Sequence, residues 1–120
     1  MDWFSSRNGR INGSGAEYAA AGVPLFSLNT DSSVIPQEEF FLQGSMTARL
    51  GGDSYEMLRA LTIHPAKAFG LDDRVGSLEV GKDADVVLYD GDPLDPRTRV
   101  MRVWIDGDLQ YDREETRAFF

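Results

Sequence analysis

The sequence contains no cysteine and only one histidine, His64, in 120 residues. The lack of cysteine excludes disulfides, thiol nucleophiles and thiolate metal sites. Protein zinc sites take three or four nitrogen, sulfur or oxygen ligands, and His64 has no histidine or cysteine partner on this chain. A surface or packed histidine is therefore the favoured interpretation of His64, and we do not count it as a ligand.

Long apolar runs and an excess of basic residues are also missing. No apolar run approaches the roughly 20 residues needed to cross a bilayer, and the N-terminus lacks a basic stretch followed by an apolar run. Twelve basic against twenty acidic residues give a net charge of −8. Such a surface repels nucleic acid and anionic membranes, so we expect neither as a partner. The expected compartment is the cytoplasm.

The composition that remains, 42% hydrophobic and 27% charged, is typical of one soluble globular domain. Residues 1–15 are rich in turn formers, which favours an irregular lead-in. An alanine-rich segment, 16–21, predicts a short helix that ends at Gly22. The apolar run 23–28 then predicts a buried strand, and the sequence turns abruptly polar at Asn29, Thr30 and Asp31.

Residues 36–70 carry helix signals in succession. Pro36 precedes two glutamates that suit a helix N-terminus, and Asp53 begins a capping box that Glu56 completes. Apolar residues recur every four positions at Leu42, Met46 and Leu50, which predicts a core-facing stripe. Thr62 is placed to cap a third helix that ends at Gly70.

After Gly70 the pattern changes to that of strands. The run 85–89 is β-rich, Asp90 to Pro93 reads as a turn, and Asp106-Gly107 is suited to a two-residue hairpin turn between 100–105 and 109–111. Trp104 is expected in the core. The fold class expected from this order is α+β (mixed), without internal repeats.

Several segments together resemble the C-terminal portion of the amidohydrolase superfamily of metal-dependent hydrolases, with imidazolonepropionase-like members closest. They are 60–71 (ALTIHPAKAFGL), 76–85 (GSLEVGKDAD), 90–94 (DGDPL), 103–107 (VWIDG), and 21–24 (AGVP) leading to 29–32 (NTDS). The resemblance covers about 16–112. It implies hydrolysis of a non-peptide C–N bond, in a cyclic amide or amidine type of substrate.

The resemblance also implies an architecture. Residues 16–70 would form the last strand and following helices of a (β/α)₈ barrel, with the strand at 23–31. Residues 71–120 would contribute C-terminal strands to a small composite β-sandwich. The family's His-x-His motif and its other metal-binding residues are absent from this sequence. We therefore expect a fragment that is inactive alone and forms homo-oligomers through exposed strand edges.

Asp31 is the candidate site residue, both catalytic and metal-binding. The resemblance implies that this aspartate follows the last barrel strand, ligates a divalent metal, most commonly zinc, and takes a proton from the attacking water. The cofactor would be bound by the complete enzyme with its small-molecule substrate, and not by this chain alone. From local sequence alone, a turn-capping role is the favoured interpretation of Asp31, and the resemblance to the family reverses that preference. Ser33 departs from the proline common in relatives, which puts the substrate contacts of the following loop in doubt.

Other readings remain open. Asp90, Asp92 and Asp95 have carboxylates at a spacing that faintly suggests a calcium loop, but the pattern lacks the glycine and final glutamate of an EF-hand, so a solvated turn is favoured. The chain as a whole could instead be a non-catalytic, self-associating structural module. A third hypothesis is a small binding protein that uses its sandwich half.

Overall fold

A computed structural model describes residues 4–32 and 34–116. The helices are α1 (Ser14–Ala20), α2 (Phe40–Arg49), α3 (Ser54–Leu61), α4 (Ile63–Ala68) and α5 (Arg113–Thr116), with a 3₁₀ turn (Gln37–Glu39) before α2. The strands are β1 (Phe4–Arg7), β2 (Arg10–Gly13), β3 (Val86–Tyr89), β4 (Val100–Ile105) and β5 (Asp108–Asp112). The mixed helix and strand content expected from the sequence is confirmed.

The N-terminal region differs from the irregular lead-in expected over 1–15. Strands β1 and β2 pair antiparallel, and α1 begins at Ser14. Asn8 and Gly9 join the strands with φ of 52° and 73°, the two positive values that a type I′ hairpin turn requires. The Asn-Gly pair was a sufficient signal for this hairpin. Residues 1–3 lie outside the described part of the chain.

The helical prediction for 36–70 is confirmed in its main features. The Asp53 side chain accepts a hydrogen bond from the Glu56 N–H at 2.9 Å, as a capping residue should. Thr62 differs from expectation, because its hydroxyl donates to the Leu58 carbonyl at 2.8 Å and makes no side-chain cap for α4. Gly70 ends the region with a φ of 66°.

The core-facing stripe predicted for α2 is wrong. Leu42 is 41% exposed, and the residues that α2 buries are Gln43, Gly44, Ser45 and Thr47. The reason is close packing on a small-residue face. A Cβ added to Gly44 would stand 2.9 Å from Leu61 Cδ1 and 3.1 Å from Leu94 Cδ2, so a larger residue would force these leucine side chains to shift.

The buried apolar core is correspondingly small and lies around α3. Met57 has no exposed surface, and it forms one cluster with Leu61 and Leu94. Partly buried side chains pack against this cluster, namely Ala19, Phe26, Leu28, Phe40, Phe41 and Ala48. The core therefore joins the helices to the loop before β4, and it also holds the segment that precedes Asp31.

The three C-terminal strands form an antiparallel sheet in the order β3-β4-β5, as the strand signals predicted. Asp106 and Gly107 turn the chain between β4 and β5 with φ of 52° and 83°. Trp104 is only half-buried, so the expectation that it lies in the core is not confirmed. Arg102 donates to the Asp112 carboxylate at 2.7 Å, which lowers the pKa of Asp112 below its ordinary value.

The strand predicted over 23–28 does not form. Val23 and Leu25 are 43% and 41% exposed, and Leu25 has a φ of 56°, which a β-strand cannot accommodate. A buried strand needs neighbours for its backbone groups. None of the described strands pairs with this segment.

Candidate active-site turn

Asp31 lies in a tight turn that is held by backbone hydrogen bonds and by the side chain of Asn29. The Asp31 N–H donates to Asn29 Oδ1 at 3.1 Å, and the Asp31 carbonyl accepts from the Val34 N–H at 3.1 Å. One further bond, from the Ile35 N–H to the Thr30 carbonyl at 3.1 Å, closes the turn around a buried Thr30. The backbone hydrogen bonds thus leave the Asp31 carboxylate unused.

Asp31 itself adopts a φ of 54° and is exposed. Aspartate tolerates this left-handed region better than most residues, which explains an acid at this point of the turn. Within the described residues, no hydrogen bond or ion pair engages the carboxylate. The turn-capping interpretation of its side chain is not what the structure shows, since Asn29 supplies the side-chain acceptor.

The segment that leads into the turn is held by α3 and α4. The Leu28 N–H donates to the Ala60 carbonyl at 3.2 Å, and His64 Nδ1 lies 3.2 Å from the Phe26 carbonyl oxygen. His64 is 5% exposed. The packed interpretation of this histidine therefore fits its position. No local pattern predicts its contact with residue 26, which lies 38 positions earlier.

The described residues contain no group of three or more His, Cys, Asp or Glu side chains that could hold a metal ion. Asp31 can supply one ligand of the three or four that a zinc site requires. The residues of this chain therefore do not fit a complete metal centre, and any such centre needs ligands from elsewhere.

The acidic turn at 90–95 is built as a turn. Asp90 Oδ1 accepts from the Arg99 N–H at 2.8 Å, and Asp92 Oδ1 accepts from the Leu94 N–H at 2.9 Å. Arg97 donates twice from its guanidinium to Asp95, which holds the pKa of that carboxyl well below its usual range. The carboxylates are used in folding the loop, so the solvated-turn interpretation is the one that the contacts support.

A groove of about 1210 Å³ lies between α3, α4 and β3. Its walls are mainly apolar and include Tyr55, Leu58, Ile63, Phe69, Val86 and Tyr89. Phe41 also lines the groove, with its ring centroid 5.7 Å from that of Tyr89 in an edge-on arrangement. Asp31 is not among the lining residues, so the candidate turn and the groove are separate features.

In the part of the chain that the structure describes, no helix has the length and apolar character required to cross a membrane.

Comparison with known proteins places these features in a family. The family model described as "Amidohydrolase family" matches residues 15–111, which include the Asp31 turn, α2 to α4 and the C-terminal sheet. The chain belongs to the amidohydrolase family. The similarity to this family expected from the sequence motifs is thereby confirmed, and the family is one of hydrolases that are generally metal-dependent.

Three relatives illustrate the match. The chain is 46% identical over 54 residues to imidazolonepropionase from Pseudomonas aeruginosa, covering 45% of this chain and 12% of that enzyme. It is 31% identical over 116 residues to N-acetylglucosamine-6-phosphate deacetylase from Bos taurus, covering 92% and 26%. Among solved structures, an amidohydrolase from Thermotoga maritima superposes with a TM-score of 0.78 at 42% identity, covering 83% of this chain and 26% of that one.

Each match covers a much larger share of this chain than of the relative. The chain spans at most 26% of the length of each of the three relatives, although nearly all of this chain is matched by the bovine one. A region of common structure is therefore shared with much longer enzymes. The activities in the relatives' names belong to those whole enzymes.

Proposed function

We propose that this chain is the C-terminal portion of a metal-dependent amidohydrolase that hydrolyses a non-peptide C–N bond, in a substrate of the cyclic amide or amidine type. The observation that carries the proposal is the exposed Asp31 on a backbone-fixed turn, inside a segment matched by the family model. A carboxylate that its own turn does not use is available for chemistry. Relatives that act on C–N bonds, including a deacetylase, support this reaction class.

Asp31 serves in this proposal as one metal ligand and as the acceptor of the proton that the attacking water loses. A positioned carboxylate contributes typically 10²–10⁴-fold through such proton transfer. A divalent metal, with zinc the leading candidate, would be held in part by Asp31 and would supply Lewis-acid polarisation of water and substrate. The remaining ligands come from other parts of the protein, because the described residues contain no complete ligand group.

The architecture proposed for the whole enzyme explains why 23–28 is irregular in this chain. Residues 23–31 would form the last strand of a (β/α)₈ barrel, 36–70 the helices after it, and 71–120 part of a β-sandwich. Active sites of such barrels lie at the C-terminal ends of the strands, where Asp31 would stand. Neighbouring strands would supply the inter-strand hydrogen bonds that segment 23–28 does not make here, where the Val23 N–H donates instead to the Tyr18 carbonyl at 3.0 Å.

Complementation tests the proposal. We would express this chain together with the part of the Thermotoga maritima amidohydrolase that it does not match, then measure metal content and hydrolysis of a panel of cyclic amides and amidines. We expect a stoichiometric metal and activity that falls at least about 100-fold in Asp31→Asn, in line with the loss of a catalytic carboxylate.

Asp73→Asn is the matched control, because Asp73 is an exposed acid outside the turn. It should leave activity within a factor of two or so, as surface substitutions usually do. An active, metal-loaded complex in which Asp31→Asn behaves like Asp73→Asn would refute the assignment of Asp31.

A non-catalytic, self-associating module is the second candidate function. It is favoured by large apolar side chains on the surface, of which Phe69 and Leu78 are each 80% exposed. Exposed apolar patches and unpaired strand edges promote association between copies. Light scattering of the purified chain, combined with the complementation assay, tests it: an oligomer that gains neither metal nor activity on complementation supports the module, and a monomer counts against it.

A further inference from the structure

The buried histidine of α4 has a contact that the proposed chemistry does not use. His64 is 5% exposed and lies 38 residues after Phe26, yet its Nδ1 is 3.2 Å from the Phe26 carbonyl oxygen. A carbonyl oxygen can only accept, so Nδ1 carries the hydrogen and donates. The two rings also meet edge-on, with centroids 5.7 Å apart.

A second bond fixes the same segment two residues later. The Leu28 N–H donates to the Ala60 carbonyl at 3.2 Å, and Ala60 is fully buried in α3. Segment 26–28 is therefore held at one carbonyl and one amide by two adjacent helices. Because this segment is not part of a sheet, these are the long-range backbone bonds that orient it. Asp31 follows only three residues after Leu28.

The second ring nitrogen of His64, Nε2, makes no hydrogen bond within the described residues that would explain the burial of the side chain. His64 Nε2 lies 3.9 Å from Glu56 Oε2, too far for a hydrogen bond. Glu56 instead receives a 2.8 Å bond from Arg59. Nδ1 is thus the polar atom of His64 that makes the specific contact, and it makes it with the segment before the candidate site.

From this geometry we propose that His64 is a positioning residue: its Nδ1–H tethers the Phe26 carbonyl and so sets where Asp31 stands. The role of Asp31 rests on the function proposed above, whereas the tether itself is a property of this chain. His64 touches no reacting atom in this assignment and acts only through segment 26–28.

Hydrogen exchange on the purified 120-residue chain tests the tether without any need for activity. His64→Leu removes the donor and keeps an apolar side chain, while His64→Asn keeps an N–H donor. We expect amides at 26–32 to exchange about fivefold faster or more in His64→Leu, and His64→Asn to restore at least part of the protection. Amides of the β4-β5 hairpin, far from the tether in the chain, serve as the internal reference.

Thr62→Val is the matched control, because it removes another side-chain bond to a carbonyl, that of Thr62 to Leu58, from the same pair of helices. It should leave amides at 26–32 unchanged. Exchange at 26–32 that is unaltered in His64→Leu, or raised equally by Thr62→Val, would overturn the tether.

The complemented enzyme separates this inference from the proposed function. There the Phe26 carbonyl, which has two lone pairs, would accept from His64 in addition to any strand partner. His64→Leu should therefore lower kcat with little change in KM, and His64→Asn should recover kcat, since a displaced Asp31 alters the chemical step more than substrate binding. Normal exchange protection at 26–32 in His64→Leu overturns the tether even if the complex is active. If His64→Leu speeds exchange at 26–32 but the complemented enzyme is inactive, the tether is supported and only the proposed function is refuted.

Discussion

The helical region 37–68 and the segment 21–35 are neighbours in the chain, but only the helical region forms the secondary structure that its sequence predicts. The helices form where caps and turn residues predicted them, from the 3₁₀ turn at Gln37–Glu39 to Ala68. The segment before them has the composition of a buried strand and forms none. Each helix satisfies its interior backbone groups by itself, whereas a strand depends on a neighbour.

The two regions also differ in how many buried contacts hold them in the fold. The helices share the small core around Met57 and Leu61, while the segment is attached to them through Phe26, Leu28 and two hydrogen bonds. A region with few buried contacts opens more easily than the core. We therefore expect substitutions in the two regions to differ in size and, at one position, in sign.

The largest effect should come from Met57, which has no exposed surface. Met57→Ala removes most of a side chain at the centre of the core cluster, and should lower the free energy of unfolding by about 2–5 kcal/mol in urea titrations followed by circular dichroism. Phe69→Ala, at an 80% exposed position, is the control and should change it by at most about 0.5 kcal/mol. Equal effects would mean that the core cluster around Met57 is not the stabilising unit.

An intermediate effect is expected at the start of α3. Asp53→Ala deletes the side chain that accepts from the Glu56 N–H, and should cost about 1 kcal/mol, measured in the same way. Thr62→Val is the comparison, because Thr62 makes no side-chain cap for α4. If Thr62→Val cost as much as Asp53→Ala, the capping distinction between these two residues would be mistaken.

The smallest effect, and the one with unusual sign, is expected at Leu25. Its φ of 56° is strained for leucine but open to glycine, so Leu25→Gly should leave the unfolding free energy unchanged or raise it by up to about 1 kcal/mol. Leu28→Gly, at a half-buried residue that packs on the core, should lower it.

Leu25→Gly should have the opposite effect once the rest of the barrel is supplied by complementation. In a paired strand residue 25 takes a negative φ, and leucine is then the better residue. Leu25→Gly should therefore weaken the complemented assembly, as measured by the concentration of partner needed for half-maximal complex. A Leu25→Gly chain that is clearly destabilised when isolated would argue that segment 21–35 is already strand-like.

Much of the fold could be predicted because the signals were local. The Asp53 cap, the Asp106-Gly107 turn and the end of the helical region at Gly70 each depend on residues within a few positions of one another. The β1-β2 hairpin was missed although Asn8-Gly9 carried its signal. The buried face of α2 was missed for a different reason, since Gln43, Gly44, Ser45 and Thr47 are buried only because α1, α3 and the loop at Leu94 approach closely.

For the candidate site, sequence motifs alone pointed to the amidohydrolase family and to Asp31, because the order of residues along the chain carries both. That family membership is confirmed; the role of Asp31 stays a prediction. The placement of His64 against the Phe26 carbonyl, the separation of Asp31 from the apolar groove and the irregular path of 23–28 came only from the folded arrangement. Each of these depends on contacts between residues distant in the chain, which packing decides and local pattern does not record.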